Sequence, residues 1–140
     1  MIRFVKNTEN RYKKEIKMEE RVENEVLTPL TDKEPKELAE AIAAILDSKK
    51  GRDIQTVHVA DKTSIADYFV ICTGNSSTQV KALIGEVDYK IGLRGLEPLR
   101  TEGRDNGSWI IIDYGSVLVH VFSREARDFY NLDKLYRTEA

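Results

Sequence analysis

Three sets of side chains in this sequence are of types that do chemistry. Cys72 with His58 or His120 would supply a nucleophile and its base. Asp61, Asp67 and Asp113 would hold magnesium for nucleotidyl transfer if they met on adjacent strands. The turn Thr73-Gly74-Asn75-Ser76-Ser77 opens a helix, and helix N-termini attract phosphate through their free N–H groups. Spacing argues against all three. His58 alternates with Ile54 and Thr56, and His120 with Leu118 and Phe122, so both histidines read as sheet positions. Cys72 lies among Tyr68, Val70 and Ile71 as a small buried residue. Magnesium chemistry normally groups its carboxylates on one strand, whereas Asp67 and Asp113 each stand alone in their segment. The turn has one glycine and no lysine, so it matches neither the Walker pattern nor the dinucleotide fingerprint and reads as a plain strand-to-helix connection.

Binding is the other chemistry available. Trp109, the only tryptophan, begins a strand after a polar turn, and Tyr114, Tyr130, Leu135 and Tyr136 would extend an aromatic surface around it. Such residues are either core packing or interface anchors, since tryptophan and tyrosine dominate binding energy where they are exposed. Position alone leaves both readings open. Arg124 and Arg127 read as solvated.

The elements that position these residues follow from period and punctuation. The first helix begins at Pro35, capped by Asp32 or Glu34, with Leu38, Ala41, Ile42, Ile45 and Leu46 in one stripe. Gly51 is expected to take the left-handed terminating conformation. Ile54 to Val59 reads as a strand with β-branched alternation, and Tyr68 to Thr73 as a buried strand. Ser76 and Gln79 have capping-box spacing before a helix with Val80, Leu83, Ile84, Val87 and Ile91 on one face, ended by Gly92 and Gly95. Pro98 to Glu102 and a turn over Gly103 to Gly107 precede an antiparallel hairpin, Trp109 to Phe122, that reverses at Tyr114-Gly115-Ser116. Ser123 then caps one last helix bearing Ala126, Phe129, Tyr130 and Leu135. Helix, strand, strand, helix, three strands, helix is an α+β order: a single domain with a mixed sheet of about five strands flanked by helices.

Composition sets limits. At 140 residues and 41% hydrophobic content the chain fits one domain with a single core. Lys plus Arg (22) nearly balances Asp plus Glu (24), so no basic face for a dedicated nucleic-acid site is expected. One cysteine excludes an internal disulfide and fits a reducing cytoplasm. Charge interrupts the start before any run of signal-peptide length, and no apolar run approaches membrane-spanning length. Residues 1–30 interleave Lys and Arg with Glu around few apolar side chains, and read as a charged N-terminal extension, mobile or partly helical; residues 31–140 form the domain.

The blocks KGRDI (Lys50 to Ile54), SIADYFVICTGNSS (Ser64 to Ser77), PLRTEG (Pro98 to Gly103), WIIIDYGSVLVHVF (Trp109 to Phe122) and YNLDKLY (Tyr130 to Tyr136), in this order, resemble the ribosomal silencing factor family, RsfS or Iojap. The resemblance runs from about Leu38 to Tyr136. It implies a nucleotidyltransferase-like fold without the catalytic carboxylate motif, no enzymatic activity and no cofactor or metal. It also implies a translational repressor that binds the large ribosomal subunit at its ribosomal protein fourteen and blocks joining of the small subunit. Organelle relatives act in large-subunit assembly, an alternative use of the same surface. Carried onto matching positions, the resemblance implies an interface of Trp109, Asp113, Tyr114 and Gly115, with Pro98, Leu99 and Glu102 beside it and Tyr130, Lys134 and Tyr136 from the last helix. Many relatives have tryptophan where this chain has Tyr136, and an acidic residue where it has Ser116. Relatives often pair through sheet or helices, so a homodimer is a further expected partner.

Overall fold

A computed structural model describes residues 29–31, 33–103 and 107–136. The extension expected over residues 1–30 lies outside these except for Pro29 and Leu30, as do the candidate cap Asp32 and most of the 103–107 turn. Leu30 is buried and its N–H donates to Arg94 O at 3.1 Å.

The elements are α1 (Pro35–Ser48), β1 (Arg52–His58), β2 (Tyr68–Gly74), α2 (Ser77–Leu93), β3 (Arg100–Glu102), β4 (Trp109–Asp113), β5 (Val117–Ser123), α3 (Arg124–Tyr130) and α4 (Leu132–Tyr136). They form the expected α+β domain around one five-stranded mixed sheet, ordered β1-β2-β5-β4-β3. Its centre is parallel: Tyr68 to Gly74 of β2 run beside Val117 to Ser123 of β5. Parallel neighbours need a long crossover, here supplied by α2, β3 and β4. The other strand pairs are antiparallel.

Side-chain alternation divides the interior into two layers rather than the single core expected. Val70 and Cys72 of β2, Val117, Val119 and Val121 of β5, and Ile110 and Ile112 of β4 face the stripes of α1 and α2. On the other face Phe69, Ile71 and Phe122 pack with Val59, Ala66 and Ala126, bordered by Trp109, Leu118, Leu132 and Tyr136. Burial of β2 on both sides explains its unbroken apolar run.

Local chemistry sets the element ends. Ser76 Oγ accepts from Gln79 N–H at 3.1 Å, as the capping spacing predicts, while Gln79 Oε1 reaches Asn75 N–H rather than that of Ser76. Ser123 Oγ caps α3 by accepting from Ala126 N–H at 3.2 Å. Glu34 is the N-cap of α1 but makes no side-chain cap bond. Three expectations are corrected. At the end of α1 the left-handed residue is Lys50 (φ 66°), not Gly51. Glycine at 51 is required by space: a Cβ there would lie 2.4 Å from Cys72 Sγ. The α2 helix continues through Gly92 to Leu93, and only Gly95 (φ 89°) takes the terminating conformation. The expected last helix is two, because Asn131 adopts φ 52° between α3 and α4. Strand limits also shift: β1 starts at Arg52 with a bulge before Gln55, and β3 starts at Arg100 rather than Pro98.

His120 lies inside the second layer, 4% exposed, with Phe69 4.6 Å away edge-on. Its Nδ1 accepts from Trp109 Nε1–H at 3.2 Å, which puts the ring proton on Nε2. Nε2 is buried with no hydrogen-bond partner among the described residues. Burial holds the imidazole neutral, its pKa pulled down to about 4.

This packing leads to three stability predictions. The unfolded chain protonates His120 below about pH 6.5, whereas the folded one resists down to about pH 4. The resulting stability is complete above pH 6.5 and is lost as pH falls from 6.5 to 4, on the order of 3 kcal/mol in all. Urea unfolding at pH 7 and 4.5 should show a steeper acid loss for the native chain than for His120→Phe; equal losses would contradict it. Gly51→Ala should destabilise by about 1–3 kcal/mol through overpacking. Gly85, mid-helix with nothing within 4 Å of an added Cβ, should gain about 0.5–1 kcal/mol as Ala. Paired thermal melts test both signs.

Candidate functional site

The second face of the sheet is unevenly covered. α3 packs on β5 and β2, and α4 on β1. On β4 the alternate residues Trp109, Ile111 and Asp113 remain only half-buried, while Ile110 and Ile112 are sealed beneath α2. Register places Glu102 beside Ile111 and Arg100 beside Asp113, which extends this open strip to the sheet edge.

Its polar end is fixed by Asp113. Oδ1 accepts from Gly115 N–H at 2.8 Å, closing the turn, and Oδ2 meets Arg100 Nε at 3.3 Å. Gly115 (φ 89°) suits the left-handed position that this turn requires. Arg100 Nε also lies 3.4 Å from Glu102 Oε2, giving a charged triplet on the surface. Its apolar end is Trp109, with the Tyr130 ring at 4.5 Å and Phe122 at 4.8 Å. Leu99 (73% exposed) stands near the Asp113 turn, where its N–H donates to Asp113 O at 2.7 Å. Phe129 (78% exposed) stands against Tyr130, and Leu135 (66% exposed) on α4.

Of the residues expected at an interface, Pro98, Leu99, Glu102, Trp109, Asp113 and Gly115 gather along β3, β4 and the turn, with Tyr130 over Trp109. Lys134 and Tyr136 belong to α4, on the β1 side. A chain of rings spans the gap: Trp109 to His120 at 5.9 Å, His120 to Phe69 at 4.6 Å and Phe69 to Tyr136 at 4.9 Å. Tyr114 does not join them. It is buried in the opposite layer, where burial and the nearby Asp88 and Glu97 carboxylates raise its hydroxyl pKa. Residues 113, 114 and 115 alternate faces at the turn, which sends Asp113 and Tyr114 to opposite sides.

The enzymatic alternatives meet specific obstacles. Cys72 faces α1 and α2 while His120 faces the other layer, so the sheet separates them. Burial pushes the Cys72 thiol up to about 11, away from the thiolate a nucleophile needs. His58 pairs with Tyr68 on the exposed edge strand. Asp113 spends both oxygens on the turn and Arg100. Among the described residues no three His, Cys, Asp or Glu side chains are grouped to hold a metal ion.

The two arginines expected to be solvated are both engaged. Arg124 pairs with Asp53 at 2.7 Å on the surface, which holds the Asp53 carboxyl below its ordinary range. Arg127 is buried, bound to Asp133 and Thr73. Sequence reasoning missed that arrangement because the helix was read as continuous. The one available signal was Asn131, a residue tolerant of the left-handed conformation.

Comparison with known proteins agrees with this architecture. The family profile described as "Ribosomal silencing factor during starvation" (RsfS) matches residues 32–140. Ribosomal silencing factor RsfS of Bacillus subtilis is 38% identical over 101 residues, covering 72% of this chain and 86% of that protein. Mouse "Mitochondrial assembly of ribosomal large subunit protein 1" is 31% identical over 98 residues, covering 68% of this chain and 43% of that protein. A crystal structure of a Chromobacterium violaceum protein superposes with a TM-score of 0.72 at 32% identity, covering 76% of this chain and 89% of that one. A family match over residues 32–140, joined to this sheet and its half-open face, identifies the chain as a member of the ribosomal silencing factor family.

Proposed function

We propose that this protein is a translational repressor that binds the large ribosomal subunit through its ribosomal protein fourteen and sterically blocks joining of the small subunit. The observation that carries the surface assignment is the uneven cover of the second sheet face: Trp109 stands half-open at β4, backed by Tyr130, beside the charged Arg100, Glu102 and Asp113. An aromatic anchor held in place by its neighbours loses little entropy on binding, and the charges flanking it set register and on-rate. Exposed Leu99, Phe129 and Leu135 add apolar area available to a partner. The role is regulatory rather than enzymatic, and its setting is the cytoplasm. The protein also pairs as a homodimer.

A second reading, assembly of the large subunit with the same surface, is favoured by the similarity to the mouse protein named for that process. Enrichment on precursor particles rather than mature subunits distinguishes the two.

Co-sedimentation with separated large subunits, small subunits and joined ribosomes tests the proposal. The native protein should travel with large subunits alone and reduce joining. Trp109→Ala combined with Lys134→Glu should lower that affinity at least tenfold, roughly the loss of one binding hot spot, while circular dichroism stays native. Undiminished binding of the folded variant would remove the assigned surface, and binding of the native chain to no particle would remove the repressor reading.

A further inference from the structure

α4 has five residues and none of them is fully buried. A helix this short has no stability of its own in water, so its position depends on tertiary contacts. Leu132 and Tyr136 rest against the second layer, and Lys62 Nζ donates to Tyr136 O at 3.3 Å. A further attachment is an ion pair between buried Arg127 and half-buried Asp133. Arg127 Nε and Nη2 donate to Asp133 Oδ1 and Oδ2 at 2.9 and 2.7 Å, a fork matched to a carboxylate, while Nη1 donates to Thr73 Oγ1 at 2.8 Å. One guanidinium thus joins α3, α4 and the end of β2. The left-handed turn at Asn131 brings Asp133 back onto Arg127.

We propose that Arg127 is a positioning residue for the binding surface: through Asp133 and Thr73 it holds α4 docked, and only the docked arrangement binds the large subunit. This rests on the functional reading above. Arg127 and Asp133 lie outside the assigned contact residues. The former shares α3 with Tyr130 and the latter shares α4 with Lys134 and Tyr136. Removing the carboxylate charge leaves a buried guanidinium without its counter-ion, which undocking relieves by admitting water.

The test compares the full chain with Asp133→Asn, Asp133→Glu and Leu132→Ala, the last weakening α4 docking without touching the pair. Hydrogen exchange by mass spectrometry reads α4 directly, with β2 and β5 amides as the check on folding. In Asp133→Asn the amides of residues 132–136 should exchange at least about tenfold faster with β2 and β5 unchanged, a local opening. Affinity for purified large subunits should fall by about the same factor, because the binding-competent fraction falls with it. Leu132→Ala should move both readouts together, and Asp133→Glu should recover most of each. Unaltered α4 exchange in Asp133→Asn would overturn the holding role of the pair. Faster exchange with undiminished affinity in Asp133→Asn and Leu132→Ala would overturn the requirement for docking. Failure of the native chain itself to bind large subunits would strike the functional reading instead, a result distinct from either.

Discussion

The parallel pairing of β2 with β5 is the constraint on which the rest of the molecule depends. Parallel neighbours cannot be joined by a tight turn, so the chain between them must travel out and back. The crossover spends its length on α2, which covers one face, and on β3 and β4, which widen the sheet beside β5. The pair also has to be dry on both faces, and the second face is closed by the helices that follow β5. Those helices are short, seven and five residues. Among the described residues they pack on β5, β2 and β1, with Tyr130 reaching Trp109, and the outer face of β4 stays half-open. The candidate binding strip is thus a consequence of how the central strands are connected.

Polar groups inside this fold are placed where one partner serves two ends. His120 accepts a hydrogen bond from the Trp109 indole N–H and thereby fixes the angle of the one tryptophan at the edge of the strip. Asp113 closes the β4–β5 turn with one oxygen and holds Arg100 with the other. Arg127 ties three elements at the opposite side. A buried charge pair of that kind adds little net stability against an apolar replacement, but it is costly to break and specifies one arrangement of the groups around it. The β3–β4 strip and the short α4 are two separate pieces of surface, and under the proposed function that specification would hold them in one arrangement.

Charge and apolar area are divided between the same two pieces. The strip carries Arg100, Glu102 and Asp113 beside Trp109, whereas α4 carries Lys134 and Leu135. A partner touching both would meet apolar area at Trp109 and at Leu135, each with charge on its own element. That suits a folded protein surface better than the uniform negative charge of a nucleic-acid backbone, in keeping with the near-balanced charge of the chain.

Much of this was legible in the residue order. Unbroken apolar runs gave the buried strands, Ser76 and Ser123 gave the helix starts, and the ordered blocks from Lys50 to Tyr136 gave the family, because each is a local pattern with a local cause. The expected interface, carried over from relatives, did not use the β4 alternation. That alternation puts Tyr114 in the core with Ile110 and Ile112 and Asp113 on the strip, so the core role of Tyr114 was not recognised. Nor was the fate of Arg127, whose partners lie six residues ahead across a left-handed break and fifty-four residues behind on β2. The sequence by itself determined the five strands, the two long helices and which family the chain joins. Only the tertiary structure decided which side chains share a face, because that depends on contacts between residues distant along the chain.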